Sequence, residues 1–266
     1  MRTLKLLFVP LLLMFLVSCG EDSSTDTPQS NERTADDVRA DFQKLEINPG
    51  INDIRLESLS KGVYWNFRVI APLNSSPSNL RPLVLALHGA SGGSSTAHMN
   101  TDCYVEPGLA ALDAFIISPN AGSYEWYDAS NQQQVIALVD LASTYWNIDT
   151  SKTMVMGYSN GGNASWFYSD FFPEFFSAAI AMASSYNPQR SDGTIPKIDV
   201  PMYVIHGSND ELFPVQTTTD FVDLSINAGS TIEYVIAEGL THYKPCDYVS
   251  VLQDGVDWVL TEVWNE

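Results

Sequence analysis

Basic residues are scarce: 13 Lys+Arg stand against 32 Asp+Glu in 266 residues, a formal net charge of -19. Nucleic-acid binding needs clustered cations to displace phosphate counterions, so this balance argues against a nucleic-acid partner. Cysteine is scarcer still, at 3 residues, which excludes a small disulfide-scaffolded fold. No His or Cys pair has ligand spacing, so neither a metal nor any other cofactor is expected. Uncharged apolar runs are short as well. The longest, Leu6 to Val17, covers 12 residues, whereas a membrane-spanning helix needs about 20. Aromatic side chains, in contrast, are plentiful, with 6 Trp, 12 Tyr and 12 Phe. They supply enough buryable surface for a core and exclude a wholly disordered chain.

The apolar run at the N-terminus follows Arg2 and Lys5 and ends in small residues, the pattern of a secretory signal peptide over residues 1–18. Leu16-Val17-Ser18-Cys19 resembles the lipobox of bacterial lipoproteins, which implies lipidation of Cys19 and attachment to a membrane through acyl chains rather than through a spanning helix. Residues 19–38 are then expected to be a lipidated Cys followed by a polar, acidic, flexible tether. Loss of residues 1–18 leaves 11 Lys+Arg against 32 Asp+Glu, a net charge of -21. The expected location is outside the cytoplasm, lipid-anchored to a bacterial membrane on its periplasmic or cell-surface side.

Residues 39–266 read as one domain. Ile54 to Leu59 and Val63 to Ala71 flank Ser60-Lys61-Gly62, which predicts a hairpin. Four uninterrupted apolar runs follow, Leu83 to Leu87, Ala114 to Ile117, Thr153 to Met156 and Ala178 to Ala183, and two more at Met202 to Ile205 and Thr231 to Ala237. Strands this apolar are usually buried on both faces, as in a parallel sheet. Helical spacing between them predicts helices over Gln132 to Trp146, Gly161 to Phe172, Val215 to Ile226 and Tyr248 to Val263. The expected fold class is α/β, a mostly parallel sheet with helices on both faces.

Gly157-Tyr158-Ser159-Asn160-Gly161 is a G-x-S-x-G motif between a predicted strand and a predicted helix. In that context the Ser sits on a strained turn with the following helix aiming its N–H groups at developing negative charge. Ser159 is therefore the candidate nucleophile. Its partners should come later, acid before His, each at a strand end. Asp210 closes the run Pro201 to Ile205 and His206-Gly207-Ser208-Asn209, and His242 follows the strand ending at Ala237. His242 would take the Ser proton while Asp210 holds the imidazole in the correct tautomer. Glu211 and Glu238 are the competing acids. Of the other histidines, His206 reads as a local hydrogen-bonder and His98 as a loop residue. His88 belongs to His88-Gly89-Ala90-Ser91-Gly92-Gly93, a glycine-rich loop after a buried strand. That loop lacks both phosphate-binding glycine patterns. It suits an oxyanion hole instead, with the Ala90 and Asn160 N–H groups as donors and Ser91 as the alternative to Ala90.

These stretches, together with Tyr145-Trp146-Asn147-Ile148-Asp149, make the chain resemble an α/β-hydrolase, and within that fold the secreted feruloyl esterase and polyhydroxybutyrate depolymerase-like group. The resemblance implies a serine ester hydrolase acting on feruloyl, acetyl or polyester linkages, including esters carried on a polysaccharide or polymer. Two rival readings share parts of the pattern: a prolyl oligopeptidase-like peptidase, and a non-catalytic glycan-binding surface lipoprotein. Only 17 residues, 184–200, occupy the region where a lid domain often inserts, so no large lid is expected. His88, Ser91, Tyr124, Trp126 and Tyr127 are candidate substrate contacts, the three aromatics serving either to stack on substrate or to pack their own loop. Cys103 and Cys246 are either a disulfide or two free thiols.

Overall fold

The computed structural model describes residues 33–265, so the signal stretch, Cys19 and most of the expected tether lie outside the described residues. The first described element already corrects one boundary. Helix α1 (Ala35–Phe42) begins inside the stretch expected to be tether, because Thr34 and Asp37 form a reciprocal capping box. Val38 and Phe42 on its inner face are buried, and Phe42 stacks on Trp146 with ring centroids 5.1 Å apart. The acidic composition of 34–41 hides that two-residue apolar face.

Eight strands form one sheet. β1 (Gly50–Glu57) and β2 (Tyr64–Ala71) are the predicted hairpin, paired antiparallel, and β2 pairs antiparallel with β4 (Phe115–Pro119). The remaining strands, β3 (Arg81–Leu87), β5 (Ile148–Tyr158), β6 (Ala178–Met182), β7 (Met202–Gly207) and β8 (Ile232–Ala237), run parallel to β4, in the spatial order β1-β2-β4-β3-β5-β6-β7-β8.

Alternation along β3 divides the core. Leu83, Leu85 and Leu87 face a layer containing Val135, Leu138 and Ala142 of α3 (Ala129–Tyr145), Trp166 of α4 (Asn160–Phe171) and Val222 of α5 (Val215–Asn227). Val84 and Ala86 face the other layer, with Leu109 of α2 (Val105–Leu109) and Leu252 and Val256 of α6 (Val249–Trp258). Both faces are thus covered, which is why the inner strands carry uninterrupted apolar runs. Each fully buried Leu, Val or Ile contributes about 1.5–3 kcal/mol.

The strand order reverses direction between β3 and β5: β4 lies to one side of β3, and β6, β7 and β8 lie beyond β5. Loops at the carboxyl ends of β3 and β5 therefore diverge and leave a crevice, the usual ligand position in an open α/β sheet. His88-Gly89-Ala90 leaves the first edge of that crevice and Ser159 the second. Within residues 184–200, Tyr186 stacks on Trp166 of α4 at 5.7 Å, Tyr186 and Arg190 both bond the Asp170 carboxylate, and none of the segment lines the space around His88-Gly89-Ala90.

Candidate active site

Ser159 joins β5 to α4 with φ 56° and ψ -119°, a backbone that a residue with a side chain adopts only under constraint. The glycines around it explain the constraint. A Cβ at Gly157 would strike the Gly161 backbone, one at Gly161 the Leu87 carbonyl, and one at Gly162 the Met182 carbonyl. The strand, the turn and the helix thus pack backbone against backbone, and the Ser159 N–H is tied to the Met182 carbonyl at 2.9 Å. The turn lifts the Ser159 side chain toward the His242 loop.

Ser159 Oγ lies 2.9 Å from His242 Nε2, and His242 Nδ1 lies 2.8 Å from Asp210 Oδ2. The carboxylate is immobile: Asp210 Oδ1 accepts the backbone N–H groups of Leu212 at 2.9 Å and Phe213 at 2.7 Å. Because Oδ2 can only accept, His242 Nδ1 must carry the proton there, leaving Nε2 free to receive one from Ser159. Of the two competing acids, Glu211 accepts the His242 backbone N–H at 2.7 Å and so fixes the loop rather than the ring. Glu238 is exposed, and the imidazole Nδ1 pairs with Asp210 instead. The ring is further enclosed by Phe213, Tyr243 and Tyr158, at centroid distances of 5.1, 5.3 and 5.7 Å.

Cys103 and Cys246 form a disulfide, with Cα atoms 5.1 Å apart across a sequence separation of 143. The bond ties the loop after β3 to the segment that follows His242. It therefore cross-links the two sides of the crevice.

Two cavities open on either side of the glycine-rich loop and share His88, Gly89, Ala90 and Ser91. The first, about 300 Å³, is also lined by Tyr104, Tyr158 and Pro245. The second, about 370 Å³, reaches Asn160, Glu125 and Tyr124. Asn160 is the first residue of α4, so its N–H has no partner within the helix, and the residue lines the second cavity.

Several expected substrate contacts take other parts. His88 Nδ1 donates to the Gly89 carbonyl at 2.6 Å, and Nε2 accepts the Ala121 N–H at 3.2 Å, so neither nitrogen is left for a ligand and the ring instead shapes the loop. Trp126 is 1% exposed, with its indole N–H donated to the His88 carbonyl at 2.9 Å, so it braces the same loop where it borders the second cavity. Tyr127 is exposed but rests edge-on against Phe167 and lines neither cavity. Tyr124 is exposed at the mouth of the second cavity, and Ser91 lines both. Sequence reasoning missed Glu125, whose carboxylate accepts a hydrogen bond from the Asn160 side-chain amide. Its flanking aromatics drew attention away, although an acid next to the crevice loop was the available signal.

His98, in the short turn between β3 and α2, is buried, its Nδ1 accepting from the Asn120 amide at 2.9 Å. His206 is fully buried and bonds the Phe213 carbonyl through Nε2 at 2.9 Å, closing the loop that holds Asp210. Burial lowers the pKa of His88, His98 and His206 below the ordinary histidine value, because desolvation disfavours the charged ring. The unfolded chain takes up these protons below about pH 6.5 while the native protein resists, so stability is full above that value and falls with the pH. Thermal unfolding should accordingly show a lower Tm at about pH 5.5 than at about pH 7.5, before the carboxylates begin to protonate. A Tm unchanged over that interval would mean that the three rings are not held neutral.

The dienelactone hydrolase family model matches residues 124–243, which include Ser159, Asp210 and His242. The chain has the α/β-hydrolase fold. A bifunctional acetylxylan esterase/xylanase of Neocallimastix patriciarum is 26% identical over 177 residues, 65% of this chain; the chain spans 25% of that protein's length. Among solved structures, Thermogutta terrifontis esterase 2 phosphorylated by paraoxon matches with a TM-score of 0.62 at 17% identity, over 82% of this chain and 95% of that one. A truncated carbohydrate esterase from gut microbiota matches with a TM-score of 0.61 at 16% identity, over 76% and 91%. These structural likenesses place the α/β-hydrolase fold, with no large lid among the described residues.

Proposed function

We propose that this α/β-hydrolase is a serine ester hydrolase that cleaves carboxylic esters of the feruloyl, acetyl or polyester type through an acyl-enzyme. The observation that carries the reading is the unbroken proton path from Ser159 Oγ through His242 to a carboxylate fixed by two backbone N–H groups. Ser159 attacks the acyl carbon as its proton passes to Nε2 of His242. The negative charge that forms on the carbonyl oxygen is taken up by the N–H groups of Ala90 and Asn160, donors fixed in the backbone that need little reorganisation. His242 returns the proton to the departing alcohol. It then activates water to release the acid and regenerate Ser159. The acetylxylan esterase relative favours an ester over a peptide bond. A panel of methyl hydroxycinnamates, aryl acetates and short hydroxyalkanoate esters tests the reading: turnover of one class supports it, and inertness of the whole panel overturns it.

We infer separately, from the N-terminal sequence pattern ending at Cys19, that the enzyme is exported and lipid-anchored through that residue. No helix among the described residues is long and apolar enough to cross a membrane. In a bacterial host, the full chain should partition with membranes and Cys19→Ala should move to the soluble fraction with its specific activity intact. Equal partitioning of both forms would remove the anchor from the account.

A further inference from the structure

The two cavities differ in chemistry, and the position of His242 decides which part of an ester each receives. The departing oxygen must lie beside Nε2 of His242 to take its proton. Tyr158, whose ring adjoins the imidazole, and Pro245, three residues further on, line the smaller cavity, so that cavity receives the alcohol. The acyl chain points the opposite way, into the larger cavity beside Asn160 and Glu125.

Glu125 is held in place there. Its N–H is donated to the Asp128 carboxylate at 2.9 Å, its carbonyl accepts the Asn131 amide at 3.0 Å, and its own carboxylate accepts the Asn160 amide. None of the residues lining either cavity is Lys or Arg. Lys244, next to Pro245 in the chain, is exposed and lines neither. An anionic group entering this space would therefore meet a fixed like charge with nothing to offset it, whereas a neutral hydroxyl would meet a hydrogen-bond acceptor.

We propose that Glu125 sets the charge specificity of the acyl-side cavity, admitting uncharged acyl groups and rejecting acyl groups that carry a second carboxylate. The inference rests on the ester-hydrolase reading. Its test uses two methyl esters of the same shape, of 4-carboxycinnamic and 4-carbamoylcinnamic acid, one anionic and one neutral. The quantity read is the ratio of their kcat/KM values, in which any general loss of activity cancels. In the wild type the neutral ester is favoured by about tenfold, the scale of one like-charge contact in a partly wetted site. Because Glu125 is exposed, added salt shrinks that preference. Glu125→Gln, which keeps an acceptor for Asn160, brings the ratio to near parity, and Glu125→Lys inverts it. A ratio unmoved by both substitutions overturns the inference. Failure of the ester-hydrolase reading looks different: neither ester is then turned over by the wild type beyond the Ser159→Ala level.

Discussion

Ser159→Ala lowers kcat for any ester the protein turns over by about 10⁴-fold or more, with KM little changed. The methyl group fits where the hydroxymethyl stood, so the loss is chemical and not structural. Without Oγ there is no covalent intermediate, and His242 is left to activate water in a site shaped for an alkoxide. The oxyanion donors and the crevice remain, so activity should stay above the uncatalysed rate. Steady-state kinetics beside a thermal melt separates the two causes. A variant that melts with the wild type and is nearly inert supports the assignment; one that retains most of its kcat shows that another group attacks.

Asp210→Asn should cost about 10³–10⁴-fold in kcat while leaving the fold intact. The two carboxylate oxygens have separate partners, and that separation sets the outcome. Oδ1 accepts from Leu212 and Phe213, so the carbonyl oxygen of an Asn must take that place, and its NH₂ is left facing His242 Nδ1. An amide donor there forces the imidazole proton onto Nε2, the tautomer that cannot accept from Ser159. Glu211 will not substitute, because its carboxylate is committed to the His242 backbone. A small loss of kcat in Asp210→Asn would mean that the tautomer is set by something else.

What the sequence disclosed follows from where backbone geometry restricts residue choice. Three glycines mark the turn at Ser159 because any side chain there would strike a carbonyl, and the apolar runs mark strands because both faces of the sheet are covered. The same logic explains the misses. β5 begins at Ile148, well before the apolar run at Thr153, because the four residues between them, Asp149 to Lys152, are polar and half-buried or exposed. Helix α2 spans five residues and contains Pro107 and Gly108, a composition that propensity scores as a turn. Helix α1 escaped because Val38 and Phe42 are its only buried side chains. In the site, the order of Ser, Asp and His along the chain was legible, whereas the inward turn of Trp126 and the backbone capture of His88 depend on partners more than 30 residues away. The role of Glu125 depends on a distant partner in the same way: α4 brings Asn160 beside it.

The central claim is that Ser159 is activated by His242. The most direct measurement is labelling of the intact protein with a fluorophosphonate, followed by peptide mass spectrometry. One adduct on Ser159, absent from Ser159→Ala and formed far more slowly in His242→Ala, is the predicted result. An unlabelled wild type, an adduct on another residue, or labelling of Ser159 at the same rate with and without His242 would contradict it.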